Sequence, residues 1–146
     1  MKNLLLPYSW KFAGLLLTIT GIVFTLLYSL IEFRFTMPVF AVYSSFLETK
    51  MFVTFRTQFA DELILLLLIT GLALIVFSRE KTETEELIKL RADALVKSIL
   101  INTLLLILSI VFIYGSGFIY VLVFNLFSIF IIYLAFFYLL RRKYSS

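Results

Sequence analysis

Nearly two thirds of this 146-residue chain is apolar (62%), with 17 Phe, 8 Tyr and a mean hydropathy of +1.07. A soluble protein of that length cannot hide so much hydrocarbon in one core, so lipid must solvate much of it. The chain has no His and no Cys, which excludes imidazole acid–base chemistry, thiol nucleophiles, disulfides and the usual zinc or haem ligands.

Met1–Lys11 carries Pro7, Tyr8 and Trp10, an interfacial aromatic cluster ahead of the first apolar run, Phe12–Ile31. Lys2 and Lys11 look like a signal-peptide n-region, but the run that follows exceeds the roughly 7–15 residues of an h-region. Its end, Tyr28-Ser29-Leu30-Ile31, offers no small-x-small cleavage site, so it reads as a retained span. Three more runs follow: Leu63–Phe77, Ser98–Tyr114 and Phe118–Leu140. A helix needs about 20 apolar residues to cross ~30 Å of hydrocarbon. The second run reaches that length with Asp61 and Glu62 at headgroup level, and the third with Lys97 snorkelling. The expected architecture is a single all-α transmembrane domain over 1–146. It forms a four-helix up-down bundle with spans near 12–31, 61–78, 97–114 and 118–140.

Between the first two spans, over 32–60, the period of the pattern changes. Ile31, Phe33, Phe35 and Met37 alternate with polar neighbours, as do Met51, Val53 and Phe55. Period two with Phe, Val and Thr predicts strands: a hairpin of Val39–Ser44 against Met51–Thr57, joined through 45–49. Such a sheet is marginal alone in water, and laying its aromatic face on headgroups or on the bundle mouth would supply burial. Between the second and third spans, 79–96 reads as a cytoplasmic helical extension. Thr82 with Glu85 fits a capping box, Thr84 is a second cap, and Leu87, Leu90 and Ala94 recur at helical spacing. Neither Gly nor Pro occurs from Thr84 to Tyr114. Tyr114-Gly115-Ser116-Gly117 then predicts a tight turn between the last two spans.

Charge sets the orientation. Lys2, Lys11, Arg79, Lys81, Lys89, Arg91, Lys97, Arg141, Arg142 and Lys143 fall on one side, against Arg34, Lys50 and Arg56 on the other. The positive-inside rule then puts both termini in the cytoplasm, the chain crossing the cell's plasma membrane. Glu80, Glu83, Glu85, Glu86 and Asp93 neutralise the largest basic segment, so nucleic acid is not an expected partner.

Small and polar residues mark the expected helix-packing seam, because in lipid the first allow close approach and the second supply hydrogen bonds. They are Gly14, Thr18, Gly21 and Thr25 in the first span and Gly71 in the second, then Asn102 and Ser109 in the third and Asn125 and Ser128 in the fourth. Depth counted from the edges of the two runs places Asn102 ~6 Å inside the cytoplasmic boundary and Asn125 ~10 Å inside the outer one. That predicts separate partners, Ser78 for Asn102 and Thr25 for Asn125. Asp61 and Glu62 suit a helix N-terminus, and with Glu32, Arg34 and Arg56 they form a candidate outer polar cluster for a cation or a partner. Leu87, Leu90 and Arg91 are the candidate cytoplasmic docking residues.

The pattern Phe77-Ser78-Arg79-Glu80-Lys81, Leu87…Leu90-Arg91, Asn102, Tyr114-Gly115 and Asn125, with Val39-Phe40-Ala41-Val42 and Asp61-Glu62, resembles an uncharacterised family of small four-span bacterial inner-membrane proteins. The resemblance implies architecture and location, and no activity. The sequence therefore points to a non-enzymatic membrane module, without cofactor or metal, that docks a membrane or cytoplasmic partner as scaffold, sensor or accessory subunit. The alternative is a homo-oligomeric channel or transporter subunit. A membrane enzyme would have only Glu32, Asp61, Glu62 and a few hydroxyls to act with.

Overall fold

The computed structural model describes residues 5–31, 34–44 and 50–144. Its elements are α1 (Ser9–Ile31), β1 (Thr36–Ser44), β2 (Lys50–Gln58), α2 (Ala60–Phe77), α3 (Glu85–Phe112) and α4 (Ser116–Tyr144). All four helices are long and apolar enough to cross a membrane. The expected hairpin is present as an antiparallel pair running from Thr36↔Gln58 to Ser44↔Lys50. It is longer at its base than the alternation suggests, and it tolerates Pro38 because a two-stranded sheet has only edge strands. The expected connection, 45–49, lies outside the described residues.

The 79–84 segment is irregular, and α3 starts later than the predicted extension, at Glu85. Thr84, not Thr82, is the cap: its side chain accepts a hydrogen bond from the Leu87 amide. At the other end α3 stops three residues before Gly115, whose φ of +72° supplies the left-handed turn into α4. With 28 residues, α3 is ~42 Å long, so about a quarter of it must lie beyond ~30 Å of hydrocarbon.

The helices form two antiparallel hairpins. In α1–α2 the backbones nearly touch: a Cβ on Gly14 would lie 2.7 Å from the Gly71 carbonyl oxygen, and one on Gly21 would meet Leu68. The predicted Gly14, Thr18, Gly21 and Gly71 seam is thus assembled. Its hydroxyls do not reach across, however. Thr18 donates to the Gly14 carbonyl and Thr25 to the Gly21 carbonyl, each 2.8 Å away on the same helix. In α3–α4 the contacts run outward from the shared turn.

The hairpins join where α2 finishes, α3 begins and α4 finishes. There Val76, Ala94, Tyr133 and Phe137 form the buried core, with Leu87, Phe130, Leu134, Phe136 and Leu140 packed on it. The start of the chain is strapped to the same end: the Leu6 amide donates to the Phe77 carbonyl and the Arg79 amide to the Leu6 carbonyl, both 2.9 Å. Toward the other end the helices turn Leu26, Leu30, Leu104, Ile107, Val111, Tyr120 and Phe124 outward, the surface that hydrocarbon solvates.

Candidate functional site

The polar groups of the joined end form one continuous cluster, and Arg91 is its centre. It sits on the Leu87–Ala94–Ser98 stripe of α3, facing α2 and α4, and is 6% exposed. The last carbonyls of α2 have no partner within their own helix and carry the negative end of its dipole. Arg91 caps them from the neighbouring helix: Nη1 donates to the Val76 oxygen at 3.1 Å and Nη2 to the Ser78 oxygen at 2.9 Å. Nε donates to Glu83 Oε1 at 3.0 Å, and Nη1 also reaches the Tyr133 hydroxyl at 3.3 Å. The guanidinium lies 4.8 Å from the centre of the Phe137 ring, which is itself stacked on Tyr133 at 6.0 Å. A planar fork with five donors suits this set of acceptors; an ammonium would not.

Glu83 and Glu80 extend the cluster. The second carboxylate oxygen of Glu83 accepts from the Glu80 amide at 2.7 Å, so one side chain holds both Arg91 and the turn between α2 and α3. Glu80, 8% exposed, pairs with Lys11 of α1 and with Arg141 of α4, the latter at 3.1 Å. Lys11 also lies over the Tyr138 ring at 5.4 Å. Two carboxylates thereby tie α1, the α2–α3 turn, α3 and α4 together. Each pairs with a cation from another part of the fold, which makes the cluster a fastening.

This placement corrects the docking assignment. Leu90 and Arg91 are both 6% exposed, and Leu87 packs on the core, so none of the three faces outward to a partner. Arg91 in the midst of an apolar stripe is itself the sign, legible in the sequence, of a buried and paired charge. Lys11, Glu80, Glu83, Tyr133, Phe137 and Arg141 carry no such sign, because their partners are far away along the chain.

The second correction concerns the asparagines. Asn102 Nδ2 donates to Asn125 Oδ1 at 3.2 Å, and Asn125 Nδ2 donates back to Asn102 Oδ1 at 3.3 Å. Ser128 donates to Asn102 Oδ1 as well. Thr25 and Ser78, the expected partners, bond within their own helices instead. Depth measured from opposite edges of two apolar runs separates the amides; depth measured from the turn the helices share makes them level. Asn102 is ~15 Å before the end of α3 and Asn125 ~14 Å after the start of α4. A double-mutant cycle of Asn102→Leu and Asn125→Leu, read by unfolding in detergent, should give a coupling of about 0.6–1.7 kcal/mol. Strictly additive losses would contradict the pair. Ser109 bonds the Leu105 carbonyl and, with Asn125, Ser128, Leu105, Tyr120, Val121 and Phe124, lines a cleft of about 270 Å³ between α3 and α4.

At the opposite end, the outer cluster is partly assembled. Arg34 lies over the Tyr28 ring at 5.6 Å, and Tyr28 in turn interacts with Asp61. Asp61 and Glu62 occupy the first turn of α2. Arg56 stands opposite Pro38 on the hairpin, and Glu32 lies outside the described residues. No protein-family model, curated protein or solved structure matches the chain.

Proposed function

We propose that the chain is a non-catalytic multi-pass inner-membrane protein, an up-down arrangement of four spans with both termini in the cytoplasm, that holds a partner as a scaffold or accessory subunit. Its orientation is supported by charge. Lys11, Lys81, Lys89, Arg91, Lys97 and Arg141 collect at the fastened end, against Arg34, Lys50 and Arg56 at the hairpin end.

One observation carries the docking role. The membrane-distal turns of α3 are held from within by Leu90, Arg91 and Ala94, while their outer side presents Glu86, Lys89, Asp93 and Lys97 in the open. A rigid stripe of alternating charge at spacings of three and four is a surface of fixed geometry for a partner of complementary charge. The partner face is therefore the back of the segment that carries Leu87, Leu90 and Arg91. A photo-crosslinker at position 89 in cells should trap one defined species, and Glu86→Lys/Asp93→Lys should lose it with unfolding behaviour unchanged. Equal capture by wild type and variant would refute the assignment. Replacing the whole 79–97 segment would be uninformative, since it would dismantle the Arg91 cluster.

A second reading, an oligomeric channel or transporter subunit, is favoured by the half-buried amide of Asn125 on the α3–α4 cleft. Of the other polar groups on the spans, Thr18 lies in the α1–α2 seam, and Asn102 and Ser128 are buried against one another. Solute flux in liposomes that is abolished by Asn125→Leu would support this reading, and equal silence of both proteins would count against it.

A further inference from the structure

The β-hairpin has one face that nothing among the described residues covers. Phe40 is 65% exposed, Val42 59% and Phe52 68%, values at which three large apolar side chains would ordinarily stand in water. The register sets Phe40 opposite Thr54. The backbone of Phe52 is left-handed, with φ 53°, and its ring lies 6.4 Å from that of Phe40. A bulky residue in that region of φ is strained, and such strain persists where the surroundings sustain it.

Composition indicates what the face meets. Over 34–58 the sequence carries three cations, Arg34, Lys50 and Arg56, against a single carboxylate, Glu48. Aromatic rings beside an excess of cations match a phospholipid boundary: the rings enter the headgroup–acyl zone and the cations meet phosphate. Position agrees. The Phe59 amide donates to the Phe35 carbonyl at 3.1 Å, and the rings of Phe35 and Phe59 are in edge contact at 6.4 Å. The base of the hairpin is thus tied to the first turn of α2, and at ~3.3 Å per residue its nine-residue strands reach only ~30 Å.

We propose that the Phe40–Val42–Phe52 face lies in the headgroup–acyl boundary of the outer leaflet, so that the phospholipid surface is its partner. The inference rests on the membrane-spanning reading above. It explains how a two-stranded sheet, marginal by itself, keeps its shape.

The test uses the full chain in phosphatidylcholine–phosphatidylglycerol vesicles with brominated acyl chains. Trp10→Phe clears the background, and a single Trp is placed by Phe40→Trp or, separately, Val42→Trp. Leu26→Trp on the open side of α1 gives the embedded reference, and Thr82→Trp the aqueous one. Trp at 40 or 42 is expected to emit blue-shifted from Trp at 82 and to be quenched at least half as strongly as Trp at 26. Strong quenching at 26 with none at 40 and 42 would overturn the proposal. An aqueous emission would then mean a solvated face, and a blue-shifted one a face covered by protein. Absence of quenching at 26 would remove the spanning reading and this inference with it.

Discussion

Arg91→Ala is expected to cost about 3–5 kcal/mol, a large share of the roughly 5–15 kcal/mol by which native proteins are stable. The loss is large because the truncation strands several groups at once. Glu83 is left as a buried charge without its cation, and the Val76 and Ser78 carbonyls at the end of α2 lose their donors. A packing loss adds to this, since the guanidinium fills the space over Phe137. Unfolding in detergent followed by far-UV circular dichroism measures the cost directly. Arg91→Met combined with Glu83→Gln should recover part of it, because the uncompensated charge is gone while the two carbonyls still want donors. A loss below about 1 kcal/mol for Arg91→Ala would show the pair to be a solvated one, worth no more than a surface salt bridge.

The second large effect is at the α1–α2 contact. A methyl on Gly71 would fall on the Thr18 hydroxyl, 2.7 Å from the Thr18 amide nitrogen and 3.0 Å from the Gly14 carbonyl oxygen. A hydroxyl can rotate away, but backbone atoms cannot, so α1 has to move off α2. Gly71→Ala should therefore destabilise by about 1–3 kcal/mol, and Thr18→Ala should not rescue it. Gly117→Ala is the matched control. Its added Cβ would meet Ile113 at 3.6 Å, an ordinary contact, and the change should be neutral or stabilising by up to about 1 kcal/mol. Thermal unfolding of the two variants side by side decides the matter; equal midpoints would mean that α1 and α2 are not in backbone contact at Gly71.

The apolar runs, the change to period two before α2 and the glycine turn before α4 are legible because each is written in contiguous residues. The Gly14–Gly21 and Gly71 contact is legible for a related reason, since small residues in an apolar helix have few other uses. Two features escape a linear reading. The level of Asn102 against Asn125 depends on the point from which depth is counted, and the apolar runs blur that point at both ends. The cluster around Glu80 draws Lys11 and Arg141 from the two ends of the chain, and nothing local in either marks it. Arg91 belongs between these cases: its place on a buried stripe is visible, whereas its role as a cap for a different helix is not.

The two cations on Glu80 also impose a sequence on biogenesis. Lys11 and Glu80 both emerge from the ribosome well before Arg141, so the first hairpin can close as a unit on its own ion pair. The second must be inserted and then swung home onto a carboxylate already half satisfied. A nascent chain arrested after the third helix should accordingly leave the Phe77–Glu83 turn without the cover that Tyr133 and Arg141 of α4 later give it.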